Sequence, residues 1–187
     1  MKITRPDNGR MLPPEGVSRT VSVGLRFPAD LREWLGGERL LVWVLEEVSH
    51  LEVTARGSGF HHGGEVFNFN QTLATLAYAY LCGLESSEQV EEAFETDPGL
   101  RYLGRGIPLS AAAIRRFRRL HRRVLSLVLA PVLRRALAER SGPAAGLDKP
   151  ATAADDAATP ALAGLCAAEA EVRLSRAVFA DTMALDV

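Results

Sequence analysis

The stretch QTLATLAYAYLCG, residues 71–83, decides the fold because it is apolar on nearly every side. A helix at the surface of a water-soluble domain keeps a polar face, whereas a helix that is apolar all round is buried. Asn68 or Asn70 can cap its beginning, and Gly83 is typical of a helix end. The stretch therefore predicts a central helix on which the other elements pack.

An amphipathic helix is predicted before this central one. Within residues 31–51, apolar residues recur at spacings of three and four after a break at Gly36 and Gly37, which is the periodicity of a helix with one buried face. The glycine-rich residues 55–70 then predict a loop. Residues 1–29, rich in Pro, Gly and Arg, predict an irregular N-terminal arm.

Two helices are predicted after the central one. Ser86 or Ser87 can cap a short acidic helix, which DPGL at residues 97–100 is expected to end. Ser110 can cap a long helix, which Pro131 is expected to kink or end. A short helix, a tight turn and a long helix are compatible with a helix-turn-helix element.

A linker and a last helix are predicted at the C-terminal side. Residues 141–160 are rich in Ala, Pro and Gly, a composition typical of linkers. Residues 161–187 can form a helix with a narrow apolar seam that repeats about every seven residues. We expect this seam to pack against the helical domain or against a second copy of the chain. The seam consists of Leu162, Leu165, Val172, Phe179 and Met183.

The predicted fold class is all-α. The chain has 187 residues, of which 47% are apolar, and this is enough to fill the core of one domain. We expect a compact multi-helix domain with a helix-turn-helix-like element over residues 30–140, then the linker and the C-terminal helix. Cys82 and Cys166 lie in apolar surroundings, which favours buried thiols over a disulfide.

The sequence does not predict a secreted protein, a membrane protein or an enzyme. The first residues lack the apolar segment of a signal peptide, and no stretch reaches the roughly 20 apolar residues that a membrane span needs. The sequence therefore predicts a cytoplasmic protein that has no membrane partner. The pair His61 and His62 has no third ligand at a suitable spacing, so we expect no metal site. We also expect no cofactor and no catalytic residue.

Charge is distributed unevenly along a chain whose formal net charge is only −1. Residues 98–138 carry ten arginines and no acid, and residues 85–97 carry six acids and no base. Within IRRFRRLHRR, residues 114–123, arginines three or four positions apart repel one another by about 0.2–0.5 kcal/mol per pair. On a helical wheel most of the six lie opposite an apolar arc. The arc contains Ile114, Phe117, Leu120, Val124, Leu125 and Val128.

Three explanations of the basic helix remain open. Guanidinium groups suit bidentate contact with phosphate, so the arginines can bind nucleic acid. They can also pair with the acidic helix over residues 85–97, or they can form a solvated face. If they bind DNA, the expected contact residues are Ser110, Arg101, Arg105, Arg115, Arg116, Arg118, Arg119, Arg122 and Arg123.

Four motifs in this part of the chain carry a family resemblance. They are YAYLCG at 78–83, SS at 86–87, YLG at 102–104 and IRRFRRLH at 114–121. In this order they resemble the N-terminal domain of InsH-like bacterial insertion-sequence transposases of the DDE type. The resemblance covers about residues 38–137 and implies a helical DNA-binding domain.

The chain departs from this family in two ways. Ser-Ala-Ala-Ala at residues 110–113 replaces polar residues that could read bases, so phosphate contact is retained better than sequence readout. After Ser141 the sequence is Ala-rich and shows no strand pattern. The family's ribonuclease-H-like domain, whose Asp, Asp and Glu hold two metal ions, is therefore expected to be absent.

The sequence favours non-catalytic DNA binding with weak sequence preference, by a stand-alone, truncated or domesticated domain of this type. One alternative is a protein-interaction or oligomerisation module whose arginine face meets an acidic protein surface and whose residues 162–183 join two copies. Another alternative is the DNA-binding half of a split transposase. The sequence defines neither the DNA target nor the oligomeric state.

Overall fold

A computed structural model describes residues 26–51, 59–141 and 155–185 of the protein. This part of the chain contains seven helices and one two-stranded hairpin, so the predicted all-α fold class is confirmed. Most of the predicted N-terminal arm and residues 142–154 of the predicted linker lie outside the described residues. The elements are α1 (Arg32–Leu35), α2 (Gly37–His50), β1 (Gly59–His62), β2 (Glu65–Asn68), α3 (Phe69–Leu81), α4 (Ser87–Thr96), α5 (Pro98–Leu103), α6 (Ala111–Ser141) and α7 (Asp155–Leu185).

The helix α3 is central, as its apolar sequence predicts. Its residues from Thr72 to Leu81 are all buried, and α2, α5, α6 and α7 pack against it. The side chain of Asn68 caps it by accepting a 3.0 Å hydrogen bond from the N–H of Gln71. Gly83 adopts a φ of +77° after the helix, where a Cβ would lie 2.9 Å from the carbonyl oxygen of Ala29. A glycine is therefore needed at this helix end.

The amphipathic helix before α3 is also confirmed. Gly36, with a φ of +75°, separates the short α1 from α2. The buried side of α2 consists of Leu40, Val44 and Val48, which are spaced by four as the periodicity requires.

Residues 59–68 form a hairpin where we predicted only a loop. The strands β1 and β2 pair antiparallel, with Phe60 opposite Phe67. They are joined by Gly63 and Gly64, both with positive φ, and a two-residue turn of this kind matches the twist of paired strands. Phe60 packs edge to face on Phe117 of α6, with ring centroids 5.1 Å apart. The hairpin therefore contacts α6 through Phe60.

Residues 97–100, predicted to end a helix, also begin one. The acidic helix α4 starts with a capping box between Ser86 and Gln89, as predicted, and ends at Thr96. The side chain of Asp97 then accepts hydrogen bonds from the N–H groups of Gly99 and Leu100. Pro98 occupies the first turn of α5, where its missing N–H costs nothing.

The long helix α6 begins as predicted but bends elsewhere. The Oγ of Ser110 accepts a 3.3 Å hydrogen bond from the N–H of Ala113 at its start. The backbone leaves the helical region at His121, with φ −124° and ψ 23°, and the helix continues past Pro131. The helix therefore does not end at Pro131, and its non-helical backbone angles lie at His121. The His121 ring packs against the rings of Phe69 and Phe117, at centroid distances of 4.9 and 4.7 Å.

The last helix, α7, differs from prediction in its start and in its buried face. It begins at Asp155, inside the predicted linker. It packs along α6. The residues at this contact are small or apolar, and such residues allow two helices to approach closely. Of the predicted seam only Leu162 packs against the core, and the other four residues are exposed. Packing of the whole seam against its own domain is therefore wrong. The buried apolar residues of α7 are Cys166, Ala170, Leu174 and Ala177.

None of the helices in the described part of the chain combines the length and the apolar character that crossing a membrane requires.

Candidate nucleic-acid interface

One of the six arginines of IRRFRRLHRR lies inside the protein. The side chain of Arg118 is 5% exposed and forms an ion pair with Asp181 of α7. It also donates a 3.1 Å hydrogen bond to the hydroxyl of Tyr80 in α3. Arg118 therefore cannot reach a phosphate outside the protein, and its predicted place on the solvent face is wrong.

Two further arginines have partners within the chain. Arg115 forms an ion pair with Glu88 of α4. Arg122 donates hydrogen bonds to Glu171, at 3.0 Å, and to the Oγ of Ser175, at 2.8 Å. Both side chains remain partly exposed. Pairing with the acidic helix, one of the three explanations left open, therefore accounts for Arg115, and α7 supplies the partners of Arg122.

Three arginines form the exposed arginine strip, which we define as Arg116, Arg119 and Arg123. All three residues are exposed, and none forms an ion pair with another described residue. Arg116 and Arg119 are three residues apart on one helix face, and Arg123 follows the bend at His121. Leu120 lies within it and is 60% exposed, although we predicted it in the buried arc. The strip combines positive charge with one apolar side chain.

The backbone N–H groups at the beginning of α6 donate hydrogen bonds to side chains of the same protein. Glu91 of α4 accepts a 2.8 Å hydrogen bond from the N–H of Ala111. Ala111 and Ala113 are buried, and Ala112 is exposed. Ala111 and Ala113 therefore pack against the domain. The exposed Ser110 uses its Oγ as the helix cap.

The remaining two predicted contact residues lie apart from this helix. Arg101 is exposed on α5, and Arg105 is exposed in the turn that follows. Arg105 lines a cleft of about 450 Å³ together with Asn70, Gln71 and Tyr102.

A different groove of about 340 Å³ lies between α6 and α7. This second groove is lined by Arg115, Arg118, Arg119, Arg122, Val178, Asp181 and Thr182.

Two acids beside the groove, Glu171 and Asp181, pair with arginines of α6. A hydrogen bond from Ser126 lowers the pKa of Glu171, and Arg122 lowers it further. Asp181 accepts hydrogen bonds from the N–H and the Oγ of Ser87, at 2.7 and 2.8 Å, in addition to its ion pair. Arg118 and Arg122 are therefore matched by carboxylates, and within residues 114–123 the exposed arginine strip carries the positive charge that has no acidic partner among the described residues.

The described residues show little that points to reactive chemistry. Burial raises the pKa of the Cys82 thiol to about 12, so its reactive thiolate is scarce at neutral pH. Cys166 is also buried, and both cysteines are free, as predicted. Among the described residues no group of three or more His, Cys, Asp or Glu side chains could hold a metal ion.

Asp181 and Glu171 are the residues of this region that sequence reasoning missed. Neither pair can be read from the sequence, because 63 residues separate Asp181 from Arg118 and 49 separate Glu171 from Arg122. Two charges so far apart leave no periodic signal in a sequence. Only the packing of α7 along α6 brings them together.

No protein-family model, curated protein or solved structure matches this chain.

Proposed function

We propose that the chain is a non-catalytic DNA-binding protein that contacts the phosphate backbone through the exposed arginine strip. The observation that supports this proposal is the presence of three exposed guanidinium groups without an acidic partner among the described residues. Repulsion between neighbouring arginines makes such a strip unfavourable in isolation. An external polyanion relieves this repulsion, and it releases counterions when it binds.

The length of the strip suits a phosphate backbone. Arg116 and Arg119 are about 4.5 Å apart along the helix axis, and Arg123 follows the bend at His121. One strand of a duplex carries a phosphate about every 3.4 Å of its axis, so the strip can face about three phosphates. Arg115 and Arg122, partly exposed at its edges, add contacts when they exchange their internal acids for phosphate.

We expect little sequence preference. Contacts to phosphate position a protein on DNA, whereas hydrogen bonds to base edges identify the sequence. In helix-turn-helix proteins the beginning of the recognition helix reads bases. Here the beginning of α6 packs against Glu91, and Ala111 and Ala113 are buried. The arginines that remain accessible are suited to the backbone.

The resemblance to InsH-like transposases agrees with this proposal. In that family the corresponding domain is helical and binds DNA. We propose that this chain acts as a stand-alone domain of that type, truncated or domesticated. A DNA-binding half of a split transposase would use the same strip, and it would differ in requiring a separate catalytic chain.

The test is binding of the whole protein to a fluorescent duplex of about 20 base pairs, measured by anisotropy between about 50 and 200 mM salt. For three phosphates the logarithm of affinity should fall against the logarithm of salt with a slope of about −2.7. The double variant Arg116→Glu/Arg123→Glu should bind all duplexes more weakly and reduce this slope by about 1.8. A scrambled duplex should bind with similar affinity.

The matched control is Arg134→Glu/Arg140→Glu, which changes two exposed arginines of the same helix by the same charge. It should keep most of the affinity. Absence of binding at about 50 mM salt, where such contacts are strong, would contradict the proposal. Equal losses in both double variants would assign binding to overall charge rather than to the strip. Stronger binding of an acidic protein than of DNA would favour the protein-interaction alternative.

A further inference from the structure

The exposed side of α7 carries an apolar stripe on an otherwise well-packed helix. Leu165, Val172 and Phe179 are 54%, 42% and 66% exposed. Each is seven residues from the next, and all three lie opposite the face of α7 that packs along α6. Large apolar side chains grouped on one exposed helix face are typical of a surface that binds another protein. They belong neither to the core nor to the exposed arginine strip.

A second stripe of small residues accompanies the large ones. Its members are also exposed and also repeat every seven residues. Each small residue lies four positions before a large residue, three positions after one, or both. Alternating spacings of three and four are the pattern by which two helices pack side by side. The small residues are Ala161, Ala168, Ser175 and Thr182.

We propose that this face of α7 binds the same face of a second copy of the chain, with the two helices antiparallel. When the two-fold axis passes at the level between residues 173 and 174, each large residue lies opposite a small one. Leu165 then meets Thr182 of the second copy, and Val172 meets its Ser175. Ala168 meets the second copy's Phe179. A stripe that complements itself in this way identifies the second copy as the partner.

A parallel pair fits the stripes less well. Large residues would then meet large ones, and small residues would meet small ones, in alternating layers. The distance between packed helices depends on the side chains at the contact. A layer of two phenylalanines and a layer of two alanines therefore require different distances within about 16 Å of helix.

The size of the face predicts a weak dimer. From Ala161 to Thr182 the stripes extend about 30 Å along a helix about 10 Å wide, so the face covers about 300 Å² on each copy. Stable interfaces bury about 800 Å² on each partner. We therefore expect a dimer that forms at high concentration and dissociates on dilution. This inference does not depend on DNA binding.

The experiment is sedimentation equilibrium of the whole protein from low micromolar to submillimolar concentration. The wild-type protein should change from monomer to dimer over this range. Phe179→Glu places a charge in the stripe and should remain monomeric throughout. The control Val42→Glu changes a residue that is 44% exposed on α2, and it should dimerise as the wild type does.

Disulfide trapping tests the orientation. In the antiparallel pair the two copies of residue 182 lie about 25 Å apart, so Thr182→Cys alone should give no cross-linked dimer. Thr182→Cys mixed with Leu165→Cys should cross-link, because these positions are opposite each other. Efficient cross-linking of Thr182→Cys with itself would contradict the antiparallel arrangement.

Other outcomes would overturn the second copy as the partner. A wild-type protein that stays monomeric at every concentration would do so. If Phe179→Glu also lowered the unfolding free energy of that monomer, the stripe would be covered by a segment of its own chain. If the monomer sedimented with vesicles of anionic lipid and Phe179→Glu did not, the stripe would bind a lipid surface.

Discussion

Asp181 joins three helices through its two carboxylate oxygens. One oxygen accepts from the N–H of Ser87 in α4, and the other accepts from the Ser87 hydroxyl and from Arg118 in α6. The side chains of Asp181 and Arg118 are both 5% exposed. A buried charge is tolerated only when its partner and its hydrogen bonds are in place. The two residues are therefore more sensitive to substitution than the exposed arginines beside them.

Arg118→Leu should lower the free energy of unfolding by about 3–5 kcal/mol, because it leaves Asp181 charged and buried without its cation. Urea denaturation measures the change. Arg119→Leu, at an exposed neighbouring position, should change it by less than about 0.5 kcal/mol. Asp181→Leu in the Arg118→Leu background should recover part of the loss. Equal effects of the two arginine substitutions would show that the pair does not contribute to stability.

The bend of α6 coincides with an aromatic cluster. His121, where the backbone leaves the helical region, packs against Phe117 of the same helix. It also packs against Phe60 of the hairpin and Phe69 of α3. Burial in these apolar surroundings lowers the pKa of His121 below its ordinary value of 6.5, since the charged imidazolium loses hydration there.

Acidification should therefore destabilise α6 through His121. The unfolded chain takes up a proton near its ordinary pKa, whereas the folded protein does so only at lower pH. The stabilising contribution is complete above the unfolded pKa and is lost as pH falls through the folded pKa. The melting temperature of His121→Gln should drop less between about pH 7.5 and pH 5.5 than that of the wild type. The exposed His50→Gln should behave as the wild type, and identical drops in all three proteins would refute the argument.

The helix α7 belongs to the same core as the helices before residue 141. Leu174 and Ala177 are fully buried in the cluster that also contains residues of α2, α3 and α6. The sequence division into a domain, a linker and a separate helix does not describe this packing. We therefore expect α7 to unfold together with the rest of the protein.

Leu174→Ala should lower the free energy of unfolding by about 2–5 kcal/mol, because it removes a fully buried side chain from the core. Leu165→Ala, the same change on the exposed face, should cost less than about 0.5 kcal/mol when measured on the dilute monomer. Circular dichroism and tryptophan fluorescence should report one coincident transition for both variants. Separate transitions would show that α7 folds independently.

The sequence was sufficient for the elements whose signals are local. The apolar character of residues 71–83 identified α3, and the break at Gly36 identified the start of α2. The caps Ser86 and Ser110 were correct because a cap depends on the next three residues. The start of α5 at Asp97 and Pro98 was also a local signal, but we took the same residues as a helix end.

The rest depends on contacts between distant segments. Periodicity shows that α7 has apolar stripes, but it cannot show which stripe packs on α6, since Ala170 and Ala177 are as regular as Val172 and Phe179. The burial of Arg118 depends in the same way on Asp181. For the candidate site, the sequence identified the basic helix, and the structure separated its exposed arginines from its paired ones.

The guanidinium of Arg173 links the two ends of the described chain. It donates hydrogen bonds to the carbonyl oxygens of Pro28, Ala29 and Tyr80, and 144 residues separate it from Ala29. During synthesis at about 5–20 residues per second, Arg173 is made roughly 7–30 s after Pro28 and Ala29 and roughly 5–20 s after Tyr80. The nascent protein therefore emerges from the ribosome with its central helix uncovered on the side of α7. A chaperone that binds apolar segments would have access to that side only during this interval.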